Sequence, residues 1–77
     1  MQTKFKRLQK VKLLLDPDKE YIEYFPGEEG TEIKKGMSGE VNIILPNGKY
    51  QVKISEEKTK KTIAYVQMDE DFLEIKK

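Results

Sequence analysis

The side chains best equipped for chemistry in this chain are its carboxylates. Asp69, Glu70 and Asp71 stand side by side, and Asp16, Asp18, Glu20, Glu23, Glu28, Glu29 and Glu32 crowd a single stretch. A catalytic pair needs two carboxylates facing each other across a cleft with their pKa values held apart, and neighbours in a turn do not provide that. The chain has no His and no Cys. The commonest general base, the commonest metal ligand and the thiolate nucleophile are therefore all missing. The acidic stretch lacks the spacing of a calcium loop. It reads as a solvated face, with attraction of a basic partner as the functional alternative. No catalytic residue, metal or cofactor is expected, and the chain is not expected to be an enzyme.

Two further groups of side chains are suited to binding. Tyr21, Ile22, Tyr24 and Phe25 lie within the acidic stretch, and Tyr65 and Phe72 could extend their surface. Aromatic side chains give a large contact area at low entropic cost, which suits Pro-rich or extended peptides. The alternative is that Ile22 and Phe25 fold onto the domain as satellite core, because so short a chain has few apolar residues to spare. Tyr21, Tyr24, Phe25, Tyr65 and Phe72 are the candidate partner-binding residues. The second group is basic: Lys4, Lys6, Arg7, Lys10 and Lys12 form one run, and Lys58, Lys60 and Lys61 another. If the runs converge they make a phosphate-binding stripe, with Lys10, Lys12, Lys60 and Lys61 on the nucleic acid. If they do not, they are a solubilising surface. No aromatic stacking platform is evident between them.

These groups must be positioned by strands. The clearest strand–turn–strand signal is Gly36 to Ile54, where two runs rich in β-branched and aromatic residues flank Pro46-Asn47-Gly48. Asn-Gly in that setting predicts a type I′ hairpin turn. The alternation predicts a strand over Glu40 to Leu45 with Val41, Ile43 and Leu45 on one face. The next strand spans Lys49 to Ile54, with Tyr50, Val52 and Ile54 inward. Leu8 to Leu15 alternates through Val11, Leu13 and Leu15, which predicts the first strand; Met1 to Arg7 reads as a basic, partly ordered arm around a lone Phe5. Ser55 to Lys61 is a charged loop, Thr62 to Gln67 a fourth strand, and Phe72 to Ile75 a short closing strand. Asp16 to Met37 is one long excursion. Within it, Asp16 is suited to cap a helical turn over Pro17 to Tyr21, or Tyr21 to Phe25 forms an extended arm, which their β propensity favours.

With 77 residues there is room for one domain and a small core. Charged residues make up 38% of the chain, yet the net charge is only +1, so charge balance does not point to nucleic acid or to an anionic membrane. No apolar run approaches a membrane span. Met1 to Lys12 lacks the apolar core of a signal peptide. The expected setting is cytoplasmic, with no membrane partner.

Five short strands, a long first loop and a tight central hairpin predict an all-β, closed antiparallel barrel, which hides the edges that template aggregation. The pattern resembles an SH3-like barrel. The resemblance is carried by Val11 to Leu14 as first strand, the long loop, Gly36-Met37-Ser38-Gly39-Glu40-Val41, the Asn47-Gly48 hairpin and the acidic turn before Leu73-Glu74-Ile75. The G-x-x-G-x-V pattern is similar to that of KOW modules, of the variable chain of ferredoxin–thioredoxin reductase, and of small bacterial domains of unknown function. The chain has no Trp and lacks the reductase chain's His-Pro segment, so the resemblance implies a fold and carries no activity with it. The expected organisation is an arm over 1–7 and a barrel over 8–77. The leading functional expectation is a protein-interaction module acting through the long first loop and its aromatics. The alternatives are a nucleic-acid-binding barrel using the basic N-terminal strand and the Lys58–Lys61 loop, and a small accessory subunit of a larger enzyme.

Overall fold

The computed structural model describes residues 5–76, with Asn47 by its backbone alone; residues 1–4 of the expected arm, Lys4 among them, lie outside the described residues. Six strands form one antiparallel sheet: β1 (Lys10–Leu13), β2 (Ile22–Tyr24), β3 (Ser38–Ile44), β4 (Lys49–Ser55), β5 (Thr62–Asp69) and β6 (Leu73–Ile75). They are ordered β2-β5-β4-β3-β1-β6, and among the described residues β2 and β6 do not pair, so the sheet is open at both edges where a closed barrel was expected. The strand beyond the expected five is β2, inside the long first loop, where Ile22 to Tyr24 pairs with Val66 to Ala64 of β5. The two conformations considered for this segment both occur, one after the other. Lys19–Tyr21 makes a single 3₁₀ turn and the chain then extends. Asp16 does not cap that turn. Its Oδ1 accepts a hydrogen bond from the Lys35 amide at 2.7 Å, tying together the two ends of the excursion.

Among the described residues no α-helix covers the sheet, so its apolar face is buried against itself and against the loop residues Phe5 and Ile33. Val11, Leu13 and Leu73 from one end of the sheet join Val41, Tyr50, Val52, Ile54, Ile63, Ala64, Val66 and Met68 in one core. Alternation selects them, and β4 obeys it strictly, with Tyr50, Val52 and Ile54 buried between half-exposed neighbours.

Two bulges break the alternation elsewhere. Asn42 is the extra residue between the Val41–Val52 and Ile43–Gln51 pairs. A bulge reverses the facing of the residues beyond it, so Ile43, expected inside, is exposed and Leu45 is only half-buried. Ile63 is the extra residue between the Ile54–Ala64 and Ser55–Thr62 pairs. Here the effect is to bury two consecutive side chains, Ile63 and Ala64. Gly39 is fixed by close approach, since a Cβ there would stand 2.5 Å from the Lys53 carbonyl oxygen and 2.8 Å from side-chain atoms of Val52 and Ile54.

The central hairpin does not close with a two-residue type I′ turn. Pro46–Gly48 is a three-residue 3₁₀ turn closed by a bond from Leu45 N to Lys49 O at 2.9 Å. Gly48 has the positive φ of 72° that ends such a loop. Pro46 explains the change: a type I′ turn at Asn47-Gly48 would pair Pro46 with Lys49, for which Pro has no N–H to donate, whereas its φ near −65° suits the first central position of a type I turn.

The expected arm is also corrected. Phe5 is fully buried and meets the Tyr50 ring edge-on, 5.3 Å between centroids at 74°. Its amide donates to the Tyr50 hydroxyl at 3.2 Å, and that hydroxyl donates to Glu70 Oε2 at 3.4 Å. Residues 6–9 turn tightly behind it, with Gln9 N bonded to Lys6 O and Lys6 N to the Gln9 side chain. The turn forces Leu8 into a left-handed conformation (φ 70°), held by its 2.7 Å bond to Val41 O.

Candidate functional site

The long first loop and the acidic turn before β6 meet at one end of the sheet, and between them they hold the aromatic residues singled out above. The 3₁₀ turn Lys19–Tyr21 presents Tyr21, and a second 3₁₀ turn, Glu70–Phe72, presents Phe72. The second turn starts where the Asp69 side chain accepts the Asp71 amide, which satisfies an amide left without a partner at the turn's start. Tyr21 and Phe72 are 45% and 42% exposed. They face a common groove of about 370 Å³. Its apolar walls include Leu15, Pro17 and Met68, and its rim carries Asp16, Asp18, Asp69 and Lys49. Pro17 and Met68 are buried, so the groove has a fixed apolar floor. Lys49 Nζ stands 5.7 Å from the centroid of the Tyr21 ring, within cation–π range.

The other three candidate aromatics are placed differently. Tyr65 lies on the outer face of β5, cross-strand from Glu23, and shares with Tyr21 a smaller groove of about 210 Å³. Tyr24 turns inward, packs on the core, and donates its hydroxyl to the Thr31 carbonyl at 2.8 Å. It is a brace for the first loop. Phe25 is exposed and extends the β2–β5 pairing through a 2.9 Å bond to Ile63 O, but it lines neither groove. Of the aromatics that the sequence pattern singled out, Tyr21 and Phe72 share a groove, whereas Tyr24 serves a structural role. It missed Lys49, Pro17 and Met68. Lys49 becomes visible only once β4 is placed between the two 3₁₀ turns.

The four candidate lysines are split. Lys10 and Lys60 line a groove of about 580 Å³ together with Lys53 and Lys76, and Glu40, Glu56 and Glu57 stand among them. Lys76 Nζ lies 3.9 Å from Glu57 and donates to Ser38 Oγ at 3.0 Å. Lys12 lies on β1 outside this groove, and Lys61 turns the other way to pair with Glu28 of the first loop at 3.7 Å. Lys60 and Lys61 part because Lys60 takes a left-handed conformation (φ 61°) as the hairpin closes with reciprocal bonds between Glu56, Lys60 and Lys61.

Among the described residues no group of three or more carboxylates is arranged to hold a metal ion, and no helix is long and apolar enough to cross a membrane. No family model, curated protein or solved structure matches the chain.

Proposed function

We propose that this chain is a small protein-interaction module, built on an SH3-like barrel and contacting its partner through the groove between the first loop and the acidic turn. The barrel reading is supported by the sheet order, in which β3 pairs with β4 on one side and β1 on the other. It is also supported by the single core to which both end regions of the sheet contribute. Curling the open sheet so that its two ends share that core is an economical way to bury the face in so short a chain. The setting is cytoplasmic.

The observation that carries the interaction reading is the joint exposure of Tyr21 and Phe72 on one groove with a buried apolar floor. A domain this small is short of apolar surface, and aromatic residues held outside the core across a fixed groove fit a binding face. The charge-balanced surroundings of Lys10 and Lys60 give weaker support to nucleic acid, because three glutamates would meet the same phosphates. The experiment is affinity purification from the native organism with the full chain as bait, comparing wild type, Tyr21→Ala and Phe72→Ala by quantitative mass spectrometry. Loss of a stoichiometric partner in both variants is the expected result. An unchanged partner set in folded Tyr21→Ala and Phe72→Ala proteins ends the proposal.

A further inference from the structure

We infer that the aromatic groove receives a Lys or Arg side chain from an extended peptide segment of the partner, and that Lys49 holds that place in the unbound protein. This rests on the interaction reading above and adds the chemistry of the occupant. Three carboxylates, Asp16, Asp18 and Asp69, rim the groove against the single ammonium of Lys49. Among the described residues none of the three pairs with a Lys or Arg at ion-pair distance. Lys49 has Asp69 as its cross-strand neighbour on β5, yet its ammonium stands over the Tyr21 ring. The ring face is therefore a place where this molecule already accommodates a cation.

Lys49 is a poor permanent occupant. An ammonium over an exposed ring is held weakly, and its stem is flexible. An incoming guanidinium is better suited, since it stacks flat on an aromatic face and reaches a carboxylate with two parallel hydrogen bonds. The apolar floor between Tyr21 and Phe72 takes the neighbouring apolar side chain of the same segment. The surplus negative charge opposes an acidic peptide and opposes phosphate backbones equally.

The test is an NMR titration of the full chain with the capped synthetic peptide Leu-Arg-Pro-Leu-Arg and with its counterpart carrying Glu in place of Arg. The arginine peptide is expected to shift the Tyr21, Gln67, Asp69 and Phe72 amides, more weakly as salt is added, while the glutamate peptide leaves them unmoved. Lys49→Gln removes the resident cation and is expected to bind the arginine peptide about two- to fivefold more tightly, the worth of one exposed cation–π contact. Asp18→Asn is a fold-neutral second variant, because its side chain makes no capping bond, and it is expected to weaken the same peptide. Equal shifts from both peptides, no shift in wild type or Lys49→Gln, or weaker binding by Lys49→Gln would each overturn the inference. A native partner lost in Tyr21→Ala and Phe72→Ala but indifferent to Lys49→Gln would remove this inference and leave the interaction reading standing.

Discussion

Strand β4 begins at Lys49 and ends at Ser55, and each end faces a groove. At the Lys49 end, two exposed aromatic rings stand across a buried apolar floor, and the rim carries more acid than base. At the Ser55 end the groove is larger, but four lysines and three glutamates line it, and Lys76 is already engaged with Glu57 and Ser38. Size and charge count alone would favour the second groove. The difference lies in what the side chains already do. At the Ser55 end lysines and glutamates are intermixed around the groove, with Lys76 paired to Glu57, so the charge is nearly balanced, and exposed pairs of that kind contribute little to stability. At the Lys49 end, apolar area stays exposed, and the carboxylates have no Lys or Arg at ion-pair distance among the described residues, since Asp16 and Asp69 accept only backbone amides; an external cation beside an apolar side chain gains from both.

The largest expected effect comes from the core beneath the aromatic groove. Phe5 packs on Tyr50, and Tyr50 reaches Glu70 of the turn that presents Phe72. Phe5→Ala is expected to lower stability by about 3–5 kcal/mol, the usual cost of deleting a buried aromatic ring. Urea unfolding monitored by circular dichroism measures it. A loss below about 1 kcal/mol would mean that residues 5–9 are dispensable to the core.

Next in size is a contrast between one residue from each groove. Gly39 lines the lysine groove, and a Cβ there collides with the backbone of β4. Gly39→Ala is expected to cost about 2–4 kcal/mol through forced separation of β3 and β4. Phe72→Ala, at the aromatic groove, is expected to cost less than about 1 kcal/mol, because the ring is exposed. The same urea titrations decide it. If Phe72→Ala proved the more damaging of the two, the aromatic groove would be scaffold and the interaction reading would lose its basis.

These contrasts also mark how far the sequence could be read. The fold class came from alternation, and β4 kept its inward set Tyr50, Val52 and Ile54 without exception. The two bulges escaped because an inserted residue has no local signature. Ile43 looks like a core residue until the Asn42 bulge turns it outward. Pro46 was a legible cue: next to Asn-Gly it argued for a type I start, and the stronger Asn-Gly signal hid it. Phe5 escaped for another reason. An isolated apolar residue among basic ones has no period, and only the tertiary contact with Tyr50 reveals its role. For the candidate site, composition pointed to the loop that carries Tyr21. The pairing of Tyr21 with Phe72, about fifty residues apart in the chain, is set by sheet order and could not be read from spacing.

A smaller effect is expected from the lysines as a set. Reversing Lys10, Lys12, Lys60 and Lys61 to Glu removes one weak ion pair, Lys61 with Glu28. A charge-answered surface predicts no loss of a native partner, and wild-type binding to single-stranded or duplex DNA in fluorescence anisotropy that is weak at physiological salt. Tight binding with a steep salt dependence, abolished in the reversed protein, would make the larger groove the functional one.

The smallest effect separates geometry from charge within that same groove. Lys60 holds a left-handed conformation, which costs an ordinary side chain about 1–2 kcal/mol and costs Asn less. Lys60→Asn is expected to raise stability by about 0.5–1 kcal/mol. It removes a groove cation at the same time, and no partner captured by the wild-type chain should be lost. If capture falls while stability rises, the position was kept as lysine for its charge, and the lysine groove, not the aromatic one, would be the face that meets the partner. If stability rises and capture holds, the left-handed lysine is a tolerated local cost on the side of the molecule that serves as scaffold.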